Sequence, residues 1–247
     1  TAGAALLTDY ILTVAVSISS GVAQITSAFP AVYAWRVELA VGLVLLVMLV
    51  NLRGVKESGA IFAVPTYFFL VMMVITVSVG FVRLVMGTLG TVPNPPPMET
   101  VQTMQAVSLF LILHAFASGT TALTGVEAIS NGITAFKEPK SRNAGVTLLW
   151  MSAILGTLFL GITFLSGKID AVPSEQETVI SQLAETVFGG QGLPYLLMIT
   201  STTLILIMAA NTSFADFPRL GALHAGDGFL PRQLTFKGSR LVYSRGI

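Results

Sequence analysis

Residues 58–82, SGAIFAVPTYFFLVMMVITVSVGFV, contain no Lys, Arg, Asp or Glu, and five further stretches of the same kind fill most of the 247-residue chain. A bilayer core about 30 Å thick needs roughly 20 apolar residues at about 1.5 Å each, so such segments can cross it as helices. Only 10% of the residues are charged and 53% are hydrophobic, whereas soluble domains carry about 25% charged residues. A transmembrane barrel would alternate polar and apolar residues in segments of about 10, and the runs here are continuous. The fold class is therefore an all-α membrane protein. With no cysteine there is no disulfide and no thiolate metal site.

Six spans are predicted, at about 4–28, 36–52, 59–86, 105–135, 144–166 and 193–216, in one transmembrane domain over 1–247. Residues 87–104 are rich in Pro and Gly and are expected to be irregular. In 167–192, Ser174 followed by Glu177 has the pattern of a helix start and predicts a short helix on the membrane surface. Residues 217–247 are expected to be a cytoplasmic segment, a short helix and turn suited to a gate. Ten of the thirteen basic residues follow the second, fourth and sixth spans, leaving only Arg36, Arg83 and Lys168 on the other face. The positive-inside rule makes the basic loops and the C-terminal segment cytoplasmic. Both ends of the chain look cut, the first lying within a few residues of a span.

Ionisable groups at membrane depth are costly and are normally kept for ion paths, proton relays or paired sites. Asp9 and Glu127 lie inside or at the edge of apolar stretches and are the first candidates. The first span reads TDYILTVAVSISSGVAQITSAF, in which Asp9, Thr13 and Ser17 recur every four residues and share one helical face, with Tyr10 beside Asp9. A carboxylate followed by hydroxyls can replace the hydration shell of a small cation or pass on a proton. The alternative is that Thr13 and Ser17 bond to carbonyls one turn back and let helices pack closely.

The fourth span, Gln105 to Ala135, would be about 46 Å long if fully helical, too long for one straight crossing. Its middle, HAFASGTTALTGVEAISNG, is poor in helix formers, and a break is expected near Ser118–Thr121. Broken helices present carbonyls and helix ends to ions in secondary transporters; the competing reading is a gently kinked helix with glycines for packing. Thr121, Thr124 and Glu127 are candidates on this segment, Glu127 standing three residues beyond Thr124. Pro65 predicts a bend in the third span. The chain has no GxSxG, HExxH or phosphate loop, its two histidines lack metal-ligand spacing, and no basic–aromatic surface suggests nucleic acid. No enzyme activity, cofactor or metal is expected beyond a transported ion.

ASGTTALTGVEAISNGITAFKEPKSRNA, across the fourth span and its inner loop, and ANTSFADFPRLGALHAGDGFLPRQL, after the sixth, resemble the amino acid–polyamine–organocation superfamily of permeases. Within it they resemble most the proton-coupled bacterial potassium-uptake permeases. That resemblance implies a leucine-transporter-like inverted-repeat bundle, of which the six spans are the third to eighth helices. It implies a cation site drawing on Asp9, Tyr10, Thr13 and Ser17, with Thr124 and Glu127 on the broken helix, and potassium and protons as the ligands. Any homodimer would be formed by the full-length protein. An amino acid or polyamine permease of the same superfamily is the alternative.

Overall fold

The computed structural model describes residues 2–53, 59–96, 108–119 and 136–236. Among them are seven α-helices: α1 (Ala2–Ala28), α2 (Arg36–Leu52), α3 (Gly59–Val85), α4 (Leu109–Gly119), α5 (Lys140–Lys168), α6 (Val179–Phe188) and α7 (Leu193–Gly226). Short 3₁₀ helices at Pro30–Trp35 and Arg232–Thr235 complete them, and the described residues form no strand. Five segments are long and apolar enough to cross a bilayer: Gly3–Ala28, Pro30–Leu52, Phe62–Val85, Lys140–Lys168 and Leu193–Gly226. The chain is an all-α membrane bundle. It divides into two compact units, residues 1–97 with 165–247 and residues 98–164.

In the first unit α1 and α7 pack antiparallel. Near the start of α1, Gly3 lies so close to His224 of α7 that any side chain at position 3 would overlap the imidazole ring. Further along α1, Gly21 meets Leu206 and the carbonyl of Thr203. Between them Ile18, Ala210 and Val47 of α2 form a buried apolar cluster flanked by Val14, Leu43, Ile207 and Phe214. Lipid tails are as apolar as these side chains, so the seam depends on close van der Waals fit rather than on hydrophobic burial.

α7 runs past the expected end of its span at 216 and continues through Pro218 to Gly226. The polar run Asn211–Asp216 does not stop the helix because its side chains find partners in place. Asn211 meets Asn51, the Thr212 hydroxyl donates to the Met208 carbonyl, and Asp216 pairs with Arg219 at 3.1 Å. Residues 217–226 thus continue the spanning helix. A turn at Gly228 (φ 82°) and the 3₁₀ helix follow. α3 is likewise helical on both sides of Pro65.

The short helix expected after Ser174 exists, with a different start. Its N-cap is Thr178, whose hydroxyl accepts the Ser181 N–H, while Ser174 Oγ accepts only the Gln176 N–H in the preceding turn. On α6 the side chains of Ser181, Gln182, Leu183, Ala184, Thr186 and Val187 are buried within the unit. Its C-terminus is closed by Gly189 at φ 75°, a conformation glycine adopts at little steric cost. Arg83 of α3 completes the cap, donating from Nη1 to the carbonyls of Thr186 and Val187 and from Nη2 to that of Thr88. Three basic residues are held: Arg83 by those carbonyls, Arg36 by stacking 4.4 Å over the Tyr33 ring, and Lys168 by a partner of its own.

In the second unit, α4 begins at Leu109 with Ser108 Oγ accepting the Leu111 N–H, and it remains helical through Ser118 and Gly119. The break expected near Ser118–Thr121 lies, from residue 120 onward, outside the described residues. α5 starts at Lys140, four residues before the span predicted at 144, with Asn143 Nδ2 donating to the Lys137 carbonyl.

Replacing Arg83 by Leu removes three charge-assisted bonds, two of them to part-buried carbonyls, and is expected to lower stability by about 1–3 kcal/mol. Arg83→Lys recovers only part of that, because one ammonium cannot match the forked geometry. Thermal unfolding of the full-length protein in detergent measures both.

Candidate functional site

α1 carries a polar stripe along almost its whole length. With about 100° between successive residues, Asp9, Thr13, Ser17, Ser20, Gln24 and Ser27 fall on one side, turned from the Gly3–Val14–Ile18–Gly21 edge that meets α7 and α2. From Asp9 to Ser27 the stripe is about 27 Å long at the helical rise, most of a bilayer core.

Its two ends and its middle behave differently. At the C-terminal end, the Ser27 hydroxyl accepts the Thr178 N–H at 3.0 Å and donates to the Ala23 carbonyl, while Gln24 Oε1 accepts from the Thr178 hydroxyl at 3.1 Å. In the middle, Ser17 is only 8% exposed and Thr13 half-buried, yet among the described residues neither hydroxyl makes a hydrogen bond. Elsewhere on the same helix Thr8, Thr26 and Ser27 all donate to carbonyls three or four residues back. Thr13 and Ser17, like Ser19 and Ser20, make no such bond and retain their capacity for an external ligand. At the N-terminal end the Asp9 carboxylate is half-buried with no ion pair or hydrogen bond among the described residues. Tyr10 beside it is 8% exposed and has an interaction partner.

Asp9, Thr13 and Ser17 are thus brought onto one face, as their spacing implies. Thr121, Thr124 and Glu127 lie outside the described residues. Asn211 is used within the bundle: Asn51 Nδ2 donates to Asn211 Oδ1 at 2.8 Å and to the Val47 carbonyl at 2.9 Å, joining α2 to α7. His114 stands exposed in its unit, stacked on Phe110 with ring centroids 6.1 Å apart.

The residues that sequence reading missed, Gln24, Ser27 and Thr178, are at the C-terminal end of the stripe. The signal was present for two of them, because Gln24 and Ser27 extend the three-to-four-residue rhythm of Asp9, Thr13, Ser17 and Ser20. Thr178, which meets them, comes from 150 positions downstream and carries no local mark. Next to it, a cavity of about 480 Å³ opens between the end of α1, the 3₁₀ helix, residues 92–96 and α6; Tyr33, Asn94, Gln176, Glu177, Gln182 and Glu185 are in its wall. Gln182 is fully buried and ties the preceding loop to α6. Its Oε1 accepts the Val172 N–H, and its Nε2 donates to the carbonyls of Val172 and Glu177.

Five helices long and apolar enough to cross a bilayer define a helical membrane protein, and α1 carries one carboxylate and successive hydroxyls on a single side. A sequence profile described as amino acid permease matches residues 1–242, and the chain belongs to that family. It is 47% identical over 246 residues to the potassium transporter KimA of Bacillus subtilis (strain 168), a match covering all of this chain and 40% of that protein. It is also 28% identical over 158 residues to the low affinity potassium transport system protein Kup of Pectobacterium atrosepticum, covering 62% of this chain and 23% of that one. The chain spans less than half the length of either relative.

The Asn51–Asn211 bond joins two spanning helices, and such bonds are worth about 1 kcal/mol. Asn51→Leu and Asn211→Leu should each destabilise the full-length protein by about that amount, and the double variant by clearly less than their sum. A double-mutant cycle on thermal unfolding checks the coupling; strict additivity would show that the pair is not energetically joined.

Proposed function

We propose that this chain forms part of a secondary active transporter that carries potassium inward across the cell membrane in company with protons. The observation that carries the reading is the middle of the α1 stripe, where the Thr13 and Ser17 hydroxyls make no hydrogen bond among the described residues and stand in line with a carboxylate. A dehydrated monovalent cation needs oxygen ligands and a compensating negative charge, and that stripe offers both. Asp9, Tyr10, Thr13 and Ser17 are the cation ligands on α1, and Thr121, Thr124 and Glu127 contribute from the fourth span. Asp9 and Glu127 are the proton-coupling candidates.

Support comes from the two relatives, both named for potassium transport. The distribution of Lys and Arg supports an orientation with the basic loops and residues 217–247 in the cytoplasm. The bundle is read as part of an inverted-repeat fold of the leucine-transporter type, with any homodimer belonging to the full-length protein. The description of the matching family, amino acid permease, favours a second reading in which the solute is an amino acid or polyamine. Against it, the α1 stripe presents hydroxyls and an acid rather than the aromatic walls an organic solute requires.

Asp9→Asn and Glu127→Gln in the full-length protein should each lower rubidium or potassium uptake by more than about tenfold, the equivalent of at least about 1.4 kcal/mol at the site. Uptake into cells lacking their own potassium transporters measures this. Normal uptake in both variants would remove the assignment, and inhibition by excess amino acid but not by rubidium would favour the second reading.

A further inference from the structure

Glu177 lies immediately before Thr178, the residue that holds the C-terminal end of the α1 stripe, and its side chain is bound into the joint between α6 and α7. The Ser181 hydroxyl donates to Glu177 Oε1 at 3.0 Å, and the fully buried Tyr195 hydroxyl lies 2.8 Å from the same Ser181 oxygen. With Ser181 donating to the carboxylate, Tyr195 donates to Ser181, giving a chain from α7 through α6 to a carboxylate in the cavity wall. The neighbouring backbone is tied down at the same point, since the Glu177 carbonyl accepts from Gln182 and the Thr178 N–H donates to Ser27. Whatever alters the cost of keeping Glu177 in place therefore acts on the docking of the whole α6 segment.

We propose that α6 is a proton-tightened clamp on the C-terminal end of the α1 stripe: taking up a proton on Glu177 strengthens the docking of α6 against α1 and α7, and losing it loosens the clamp.

The charges around Glu177 fit this role. α6 itself brings Glu185, a like charge; α7 brings the Tyr195 phenol; and the 3₁₀ helix brings Tyr33 across the cavity, with Arg36 stacked on that ring. α3 brings Arg83, whose guanidinium is engaged by the last carbonyls of α6. The segment before Glu177 carries Lys168, Asp170 and Glu175. α1 and residues 92–96 place only neutral groups in the cavity wall, and no Lys or Arg lines it among the described residues. The charged carboxylate is thus half-buried without a cation in the cavity to offset it.

Burial pushes the Glu177 carboxyl above the usual carboxylate range; the Ser181 hydrogen bond opposes this and the Glu185 charge adds to it. With α6 undocked, Glu177 is solvated and titrates in the ordinary range. The docked form then holds the proton more tightly, so docking is strongest at and below the ordinary carboxylate range. It weakens as pH rises through the elevated value. That the relevant pH is the extracellular one rests on the orientation proposed above; the clamp itself is read out without any transport.

The test is hydrogen exchange at the amides of residues 179–188 in the full-length protein in detergent, between about pH 5 and about pH 8, with intrinsic rates corrected for pH. Protection relative to α3 is expected to fall as pH rises, by up to about tenfold for each unit by which the Glu177 value is raised. Glu177→Gln, a neutral side chain of the same shape, should keep α6 protected with no pH dependence. Glu185→Gln should move the transition to lower pH by removing a like charge. Protection of α6 that is flat with pH in the unmodified protein, or equally pH-dependent in Glu177→Gln, would overturn the proposal. Absence of potassium uptake by the unmodified full-length protein, with the pH dependence of α6 intact, would overturn the transport reading and leave the clamp standing.

Discussion

The close antiparallel approach of α1 to α7 is the constraint on which the first unit depends. At one end it requires the absence of a side chain at Gly3, where the His224 ring fills the space; in the middle it brings Gly21 onto the Thr203 carbonyl and Leu206. By giving its small and aliphatic residues to α7 and α2, α1 is left with its polar side turned away from that seam. In water such a stripe would simply face solvent. At membrane depth each polar group must find a partner or a ligand, so the seam decides which groups remain available to a solute.

Partners are supplied at the C-terminal end of the stripe and withheld in the middle. Thr178, fixed as the N-cap of α6, spends its N–H and hydroxyl on Ser27 and Gln24. α6 is in turn fixed by Gln182 at its start and by Arg83 and Gly189 at its end. One basic residue that the charge distribution leaves on the minority face is therefore explained by packing, because Arg83 is needed there as a helix cap. Thr13, Ser17 and Ser20 make no hydrogen bond among the described residues, so the middle of the stripe is left open to a ligand.

Much of this was legible in the residues. Uncharged length located the spans, and α2 begins and ends at the predicted residues 36 and 52. The four-residue rhythm of Asp9, Thr13 and Ser17 placed them on one face. What failed did so for a physical reason. Asn211 to Asp216 read as the end of a span because polar residues are expensive in lipid, but Asn51, the Met208 carbonyl and Arg219 answer them and the helix runs on to Gly226. Ser174 and Glu177 read as a reciprocal cap, but Glu177 is drawn to Ser181 and Thr178 takes the cap, so the helix starts later. The burial of α6 and its hold on the α1 stripe depend on contacts more than 150 positions apart, which no local pattern encodes.

The central claim is that the unbonded stripe of α1 is where a dehydrated monovalent cation sits. Anomalous scattering from rubidium or thallium in crystals of the full-length protein measures this directly. A peak within coordination distance of the Thr13 and Ser17 hydroxyls, near the Asp9 carboxylate and lost when potassium is added in excess, is the result expected. Heavy-ion density confined to other places, with that stripe packed against lipid, would contradict the account.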